Sequence, residues 1–157
     1  MSRGWLLDTS VLSMLAPGRP APNADLAGWL REHAERIYLS AVTIAEIEQG
    51  VCKLLRMGGG DRADRLTFWL DAVLADFGDR VLPLDANVGR RAGALSDRAL
   101  AGGRHPGFAD VAIAATAASH QLVLLTRNAR HFAPLGVEFI DPEDGLPPLA
   151  ARGVPSI

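Results

Sequence analysis

Apolar positions along this chain switch between short continuous runs and helical spacing, and the switches mark its elements. Residues 4–8, Gly-Trp-Leu-Leu-Asp, form an apolar run closed by a charge and read as a short buried strand. Thr9 or Ser10 can cap a helix directly after it, and that helix must end before the breaker-rich stretch 17–22. Leu26, Trp29 and Leu30 recur at spacings of three and four, so 25–33 is predicted as an amphipathic helix. Ile37-Tyr38-Leu39 is a second strand, and Ser40 can cap the helix that follows. The apolar content of that helix is Val42, Ile44, Ala45, Ile47, Val51, Leu54 and Leu55, and Gly58-Gly59-Gly60 stops it. A further helix over 61–76 carries Leu66, Trp69, Leu70, Val73 and Leu74. With 45–58 it should form a helical hairpin.

The second half repeats the alternation. Val81-Leu82-Pro83-Leu84 is a third strand, placed at an edge because Pro83 cannot donate to a ladder. Residues 86–101 are helical and end at Gly102-Gly103. Residues 110–120 form an Ala-rich helix able to pack closely on a sheet. Residues 122–125 lack alternation, as a central parallel strand would, and 137–140 is the last strand. The expected fold is α/β: one domain over 1–141, with a mostly parallel central sheet of about five short strands and helices on both faces. A Pro-rich tail over 142–157, with Pro147, Pro148 and Pro155, is expected to wrap the surface or fray.

Composition narrows the class. The 157 residues suit a single domain, and 48% hydrophobic content supplies a core. No apolar run approaches the roughly 20 residues that span a bilayer. The apolar run before Asp8 is too short for a signal peptide, so a soluble, cytoplasmic protein is expected. The single Cys52 excludes an intrachain disulfide and a Cys-based zinc site. Lying within a helical apolar pattern, it is expected to be a small buried filler. A net charge of −2 and a pI of about 6.1 argue against broad, nonspecific polyanion binding. The cations are fifteen Arg against the single Lys53, which suits bidentate phosphate recognition or reflects compositional bias alone.

The candidate chemistry lies in three carboxylates. Asp8 ends the first strand, Glu46 lies early in the helix after the second, and Asp110 opens the Ala-rich helix. In open parallel sheets the functional crevice lies beyond the carboxyl ends of the strands, and the pattern brings all three to that edge. Such a cluster repels itself unless it binds a divalent cation. Each residue also has a structural reading. Asp8 and Asp110 are good helix caps, and Thr43-x-x-Glu46 matches a capping box, although Ser40 is an equally good helix start. Asn128 and Thr126, after the fourth strand, are turn residues or part of the site. His131 is a helix-end residue or a catalytic one. Arg127 and Arg130 face solvent or contact phosphates. The Gly58–Gly60 run follows a helix and is a turn, not a phosphate cradle.

The strings LLDTSVL (6–12), TIAEIEQGVCKL (43–54), FADVAIAATA (108–117), LLTRNARHF (124–132) and GVEFIDP (136–142), in this order, resemble the PIN-domain nucleases. The likeness is greatest to the VapC-like and FitB-like toxins of bacterial toxin–antitoxin pairs. By this resemblance Asp8, Glu46 and Asp110 take the places of the family's acidic metal ligands. Asn128 stands where the family often has a further acid, which puts a second metal in doubt. The resemblance implies an endoribonuclease dependent on Mg²⁺ or Mn²⁺, leaving a 5′-phosphate and a 3′-hydroxyl. It also implies a homodimer and inhibition by a cognate antitoxin.

On this reading Asp8 and Asp110 hold the principal metal, and Glu46 binds it through water or orients the nucleophile. Asn128 is counted with the catalytic group. Thr9, Ser10 and Thr126 tune the carboxylates on the substrate side, and Arg127 is a phosphate clamp. A phosphatase with an aspartyl nucleophile would need a second Asp where Ser10 stands. A catalytically inactive module that sequesters a partner is the alternative, and the intact acidic positions argue against it.

Overall fold

A computed structural model of the chain describes residues 3–147. Five short strands form one sheet: β1 (Trp5–Leu7), β2 (Ile37–Ser40), β3 (Val81–Leu82), β4 (Val123–Leu125) and β5 (Phe139–Ile140). Their order is β3-β2-β1-β4-β5, and every neighbouring pair is parallel. Registers such as Leu6 opposite Leu124 and Leu7 opposite Leu125 end β1 and β4 side by side. The helices are α1 (Thr9–Leu12), α2 (Ala24–Glu32), α3 (Ala41–Arg56), α4 (Gly60–Phe77), α5 (Ala86–Ala101), α6 (Phe108–Ser119) and α7 (Ala129–Phe132).

The period of two along a strand sorts the core into two layers. Leu6 and Leu124 point to the face covered by α5, α6 and α7, where Val88, Ala92, Ile113 and Phe132 pack. Trp5, Leu7, Val123 and Leu125 point to the other face, against Val11, Leu12 and Trp29, with Ile44, Ile47, Trp69 and Val73 of the α3–α4 hairpin closing over them. Residues 111–117 of α6 are buried throughout. The small Ala side chains let this helix lie between α5 and the sheet, so its N-terminus is held rigidly.

Several boundaries differ from the sequence reading, each for a local reason. β3 stops at Leu82, one residue before Pro83, and is an edge strand. β5 begins at Phe139 rather than at 137, after the left-handed turn at Gly136 (φ 66°). α2 starts at Ala24 because the Asn23 side chain accepts from Leu26 N at 2.8 Å. α6 begins at Phe108 with Gly107 at its cap, two residues before Asp110. Cys52 is exposed, not a buried filler. The covered stripe of α3 runs through Ile44, Ile47, Val51 and Leu54, and Cys52 is turned away from it by about 100°. Leu55, also assigned to the apolar stripe, is 53% exposed. Of the expected tail, 142–147 holds a single 3-10 turn at Pro142–Asp144, and the Pro147 carbonyl accepts from Trp29 Nε1 at 3.0 Å. The tail beyond Pro147 lies outside the described residues.

Phe132 is fully buried beneath α7, just past the loop that follows β4. Phe132→Ala is expected to destabilise the fold by about 3–5 kcal/mol. Thermal unfolding should show a melting temperature lower by roughly 10 °C. An unchanged melting temperature would mean that α7 is not anchored through this ring.

Candidate functional site

The parallel order reverses direction between β1 and β4, since the chain leaves β1 toward β2 and later returns to its other side. Such a switch point opens a crevice at the carboxyl ends of the two strands. Asp8 stands there. Its backbone N–H donates to the Leu125 carbonyl at 2.8 Å, extending the ladder by one rung. It occupies the cap position of α1, yet its side chain makes no capping hydrogen bond. Asp8 as a whole is only 3% exposed.

Two hydroxyls hold it. Ser10 Oγ donates to Asp8 Oδ2 at 2.7 Å and Thr126 Oγ1 donates to the same oxygen at 2.8 Å. Each hydroxyl is itself polarised by the loop after β4. Arg127 N donates to Ser10 Oγ at 3.1 Å, and Asn128 N donates to Thr126 Oγ1 at 2.9 Å. Charge-assisted bonds of this kind offset the desolvation of a buried carboxylate. Among the described residues no hydrogen bond falls on Oδ1, which leaves that oxygen for a ligand.

Asp110 sits in the first turn of α6, where the helix dipole favours negative charge. It is not the cap, which removes the structural reading that the sequence left open. Burial pushes its carboxyl above the ordinary range and the nearby charge of Asp8 pushes it further, while His131 pulls it partly back. His131 Nδ1 lies 3.3 Å from Asp110 Oδ2. Glu46 is in the second turn of α3, because Ser40 caps the helix through Val42 N at 3.1 Å and the alternative capping box is unused. Thr9 Oγ1 donates to Glu46 Oε1 at 2.6 Å and touches the Thr43 hydroxyl at 3.1 Å. Thus Thr9, the residue after Asp8, ties Glu46 to the start of α1.

Among the described residues no three His, Cys, Asp or Glu side chains close around one point as a ready-made cage. What the fold assembles is a coupled pair, Asp8 and Asp110, with Glu46 held alongside. This donor set fits a hard cation, which takes oxygen ligands and, for Mg²⁺, needs only one or two carboxylates while keeping several waters. The remaining candidates divide. Thr9, Ser10 and Thr126 hold carboxylates. Asn128 is exposed, caps α7 without a side-chain bond, and serves the site through its backbone N–H. Arg127 is tied to Glu143 at 2.9 Å. Sequence reasoning missed Arg104 and His105, which line a pocket of about 310 Å³ together with Asp110, Arg130 and His131. A basic pair immediately before the Pro-Gly entry to α6 was the available signal.

The raised Asp110 carboxyl has a consequence for stability. The folded chain holds this proton more tightly than the unfolded chain does, so ionising the group weakens the fold. The penalty is absent at pH values below the ordinary carboxylate range and grows as pH rises through the raised folded value. In EDTA, Asp110→Asn is therefore expected to melt above wild type at neutral pH, with the gap closing toward about pH 3. A variant that melts lower than wild type at neutral pH would show that the Asp110 charge is fully partnered.

Comparison with known proteins identifies the family of the fold. The PIN domain family matches residues 5–136. The chain is 37% identical over 139 residues to Toxin FitB of Neisseria gonorrhoeae, covering 87% of this chain and 96% of that protein. It is 34% identical over 139 residues to a VapC ribonuclease of Sinorhizobium fredii, with the same shares of 87% and 96%. The crystal structure of FitAcB from Neisseria gonorrhoeae matches with a TM-score of 0.76 at 35% identity, covering 88% of this chain and 98% of that one. A five-stranded parallel sheet with acidic residues at its switch point, and similarity along nearly the whole chain, place the protein in the PIN-domain family, next to the FitB and VapC toxins.

Proposed function

We propose that this chain is a metal-dependent endoribonuclease, the toxin member of a toxin–antitoxin pair, with Mg²⁺ or Mn²⁺ as its cofactor. The observation that carries the reading is the nearness of two acids, Asp8 and Asp110, at the carboxyl ends of the strands, with neither side chain spent on a helix-capping hydrogen bond. Asp8 and Asp110 would hold the cation, with Glu46, held by Thr9, as a further acid of the site. When bound, the ion lowers the pKa of a water molecule and neutralises charge on the phosphoryl oxygens.

The chain's own groups do the rest. Ser10 and Thr126 fix Asp8 so that Oδ1 faces the crevice. Glu46, oriented by Thr9, accepts the proton of the attacking water. His131 steadies Asp110. In-line attack forms the new P–O bond to water and breaks the P–O3′ bond; the departing 3′-oxygen takes a proton from solvent, which leaves a 5′-phosphate and a 3′-hydroxyl. Asn128 stands where a further acid would recruit a second ion, so one principal ion serves this site. The names of the similar proteins, a toxin and a ribonuclease, support both parts of the reading.

The proposed partners are RNA, a cognate antitoxin and a second copy of the chain, in the cytoplasm. No helix among the described residues is long and apolar enough to cross a membrane. On the α3–α4 hairpin, Phe68 is 80% and Met57 72% exposed, an apolar surface of the kind that marks interfaces. The alternative, a PIN-fold module that sequesters a partner without cutting, draws on the lack of a ready-made three-carboxylate cage among the described residues.

Cleavage of a labelled RNA separates the two. Asp8→Asn keeps size and both hydroxyl partners but removes the charge. It is expected to fold normally and to lose Mg²⁺-dependent cleavage by 10²-fold or more, about 3 kcal/mol of transition-state stabilisation. If Asp8→Asn cuts RNA at the wild-type rate, the mechanism is wrong. If the wild type cuts nothing with either ion, the sequestering module is right.

A further inference from the structure

The geometry points to a second substrate contact outside the carboxylate site: the pocket beside Asp110 binds an RNA backbone phosphate flanking the scissile one, with Arg104 and Arg130 as the binding groups. This inference rests on the ribonuclease reading and extends it to a place where the strand is held.

The pocket, of about 310 Å³, is built from two segments that the fold brings together. The loop between α5 and α6 supplies Arg104 and His105, and α7 supplies Arg130 and His131. All four side chains are exposed. Asp110 is among its lining residues, so the pocket borders one of the two carboxylates. Among the described residues neither Arg104 nor Arg130 makes an ion pair, whereas Arg127 is taken up by Glu143. Two unpaired guanidinium groups across one pocket match a phosphodiester, which accepts hydrogen bonds in the same forked geometry. The placement also answers a physical difficulty. A polyanion approaching Asp8 and Asp110 is repelled, and cations on the approach side lower that barrier within a Debye length of about 10 Å.

A second arginine cluster makes the contrast. Arg3, Arg90, Arg91 and Arg98 line a cleft of about 600 Å³ against Leu122 and Glu138. Arg3 precedes β1, Leu122 precedes β4 and Glu138 precedes β5, so this cleft lies at the amino ends of the strands, opposite the site. Its charges cannot touch a strand of RNA at the residues next to the cut, and it serves as an internal control.

The test is binding of a fluorescein-labelled single-stranded RNA to the full chain in EDTA, followed by anisotropy over a range of salt. Each lost phosphate contact on a single strand makes the slope of log K against log salt shallower by about 0.7. Arg104→Gln and Arg130→Gln are each expected to flatten the slope by about that amount and the double variant by about twice as much. Arg91→Gln should leave it unchanged. Equal slopes for wild type and the double variant, in a wild type that cleaves RNA with Mg²⁺, would overturn the pocket assignment and leave the ribonuclease reading standing. So would a loss for Arg91→Gln as large as for Arg130→Gln. A wild type that neither binds nor cleaves RNA would remove the ribonuclease reading and this inference together. A poly-glutamate peptide that binds through Arg104 and Arg130 while RNA binding ignores them would place an acidic protein segment in the pocket and overturn the proposal.

Discussion

The site depends on how Asp8 is held. One carboxylate oxygen accepts from Ser10 and from Thr126, and those hydroxyls in turn accept from the backbone N–H groups of Arg127 and Asn128. Each hydroxyl is therefore a relay between the loop after β4 and the residue after β1. The two segments are adjacent only because β1 and β4 are parallel neighbours that end in register. Remove the parallel pairing and the relay has no partners. Remove the relay and a nearly buried carboxylate has nothing to offset its desolvation.

The fold satisfies one oxygen of Asp8 through two hydroxyls, and the charge of Asp8 is felt at a second acid, Asp110. Asp110 is fixed by a helix that is buried from Val111 to Ala117 and cannot easily move aside. The helix dipole and His131 ease its charge, but burial and Asp8 outweigh them. An Asn at either position would avoid the repulsion, so the arrangement costs stability in the absence of a cation. The proposed cation site rests on this rigid scaffold, which holds two neighbouring carboxylates in place.

Much of this was legible in the residues. The apolar runs at 4–8 and 122–125 located the two strands that frame the site, and the Ala-rich helix after Asp110 predicted close packing on the sheet. Local sequence could not say whether Asp8, Glu46 and Asp110 were caps, because a capping residue and a ligand share the same composition. The structure answers the capping half of the question: Ser40 and Gly107 are the caps of α3 and α6, and Asp8, at the cap position of α1, makes no side-chain capping bond. The exposure of Cys52 was misjudged because the period was followed for the helix as a whole and not for its covered stripe. Arg104 and His105 escaped notice because their meaning depends on α7, which is distant in sequence and adjacent in space. The capture of Arg127 by Glu143 is likewise a tertiary fact that no spacing announces.

The central claim is that Asp8 and Asp110 form a pair whose repulsion a divalent cation relieves. Thermal unfolding at neutral pH under increasing Mg²⁺ or Mn²⁺ tests it most directly, since a ligand bound only by the folded state raises stability with its concentration. The account predicts a rising melting temperature for the wild type and a flat one for Asp110→Asn. A wild type indifferent to both ions, or an equal rise in the variant, would contradict it.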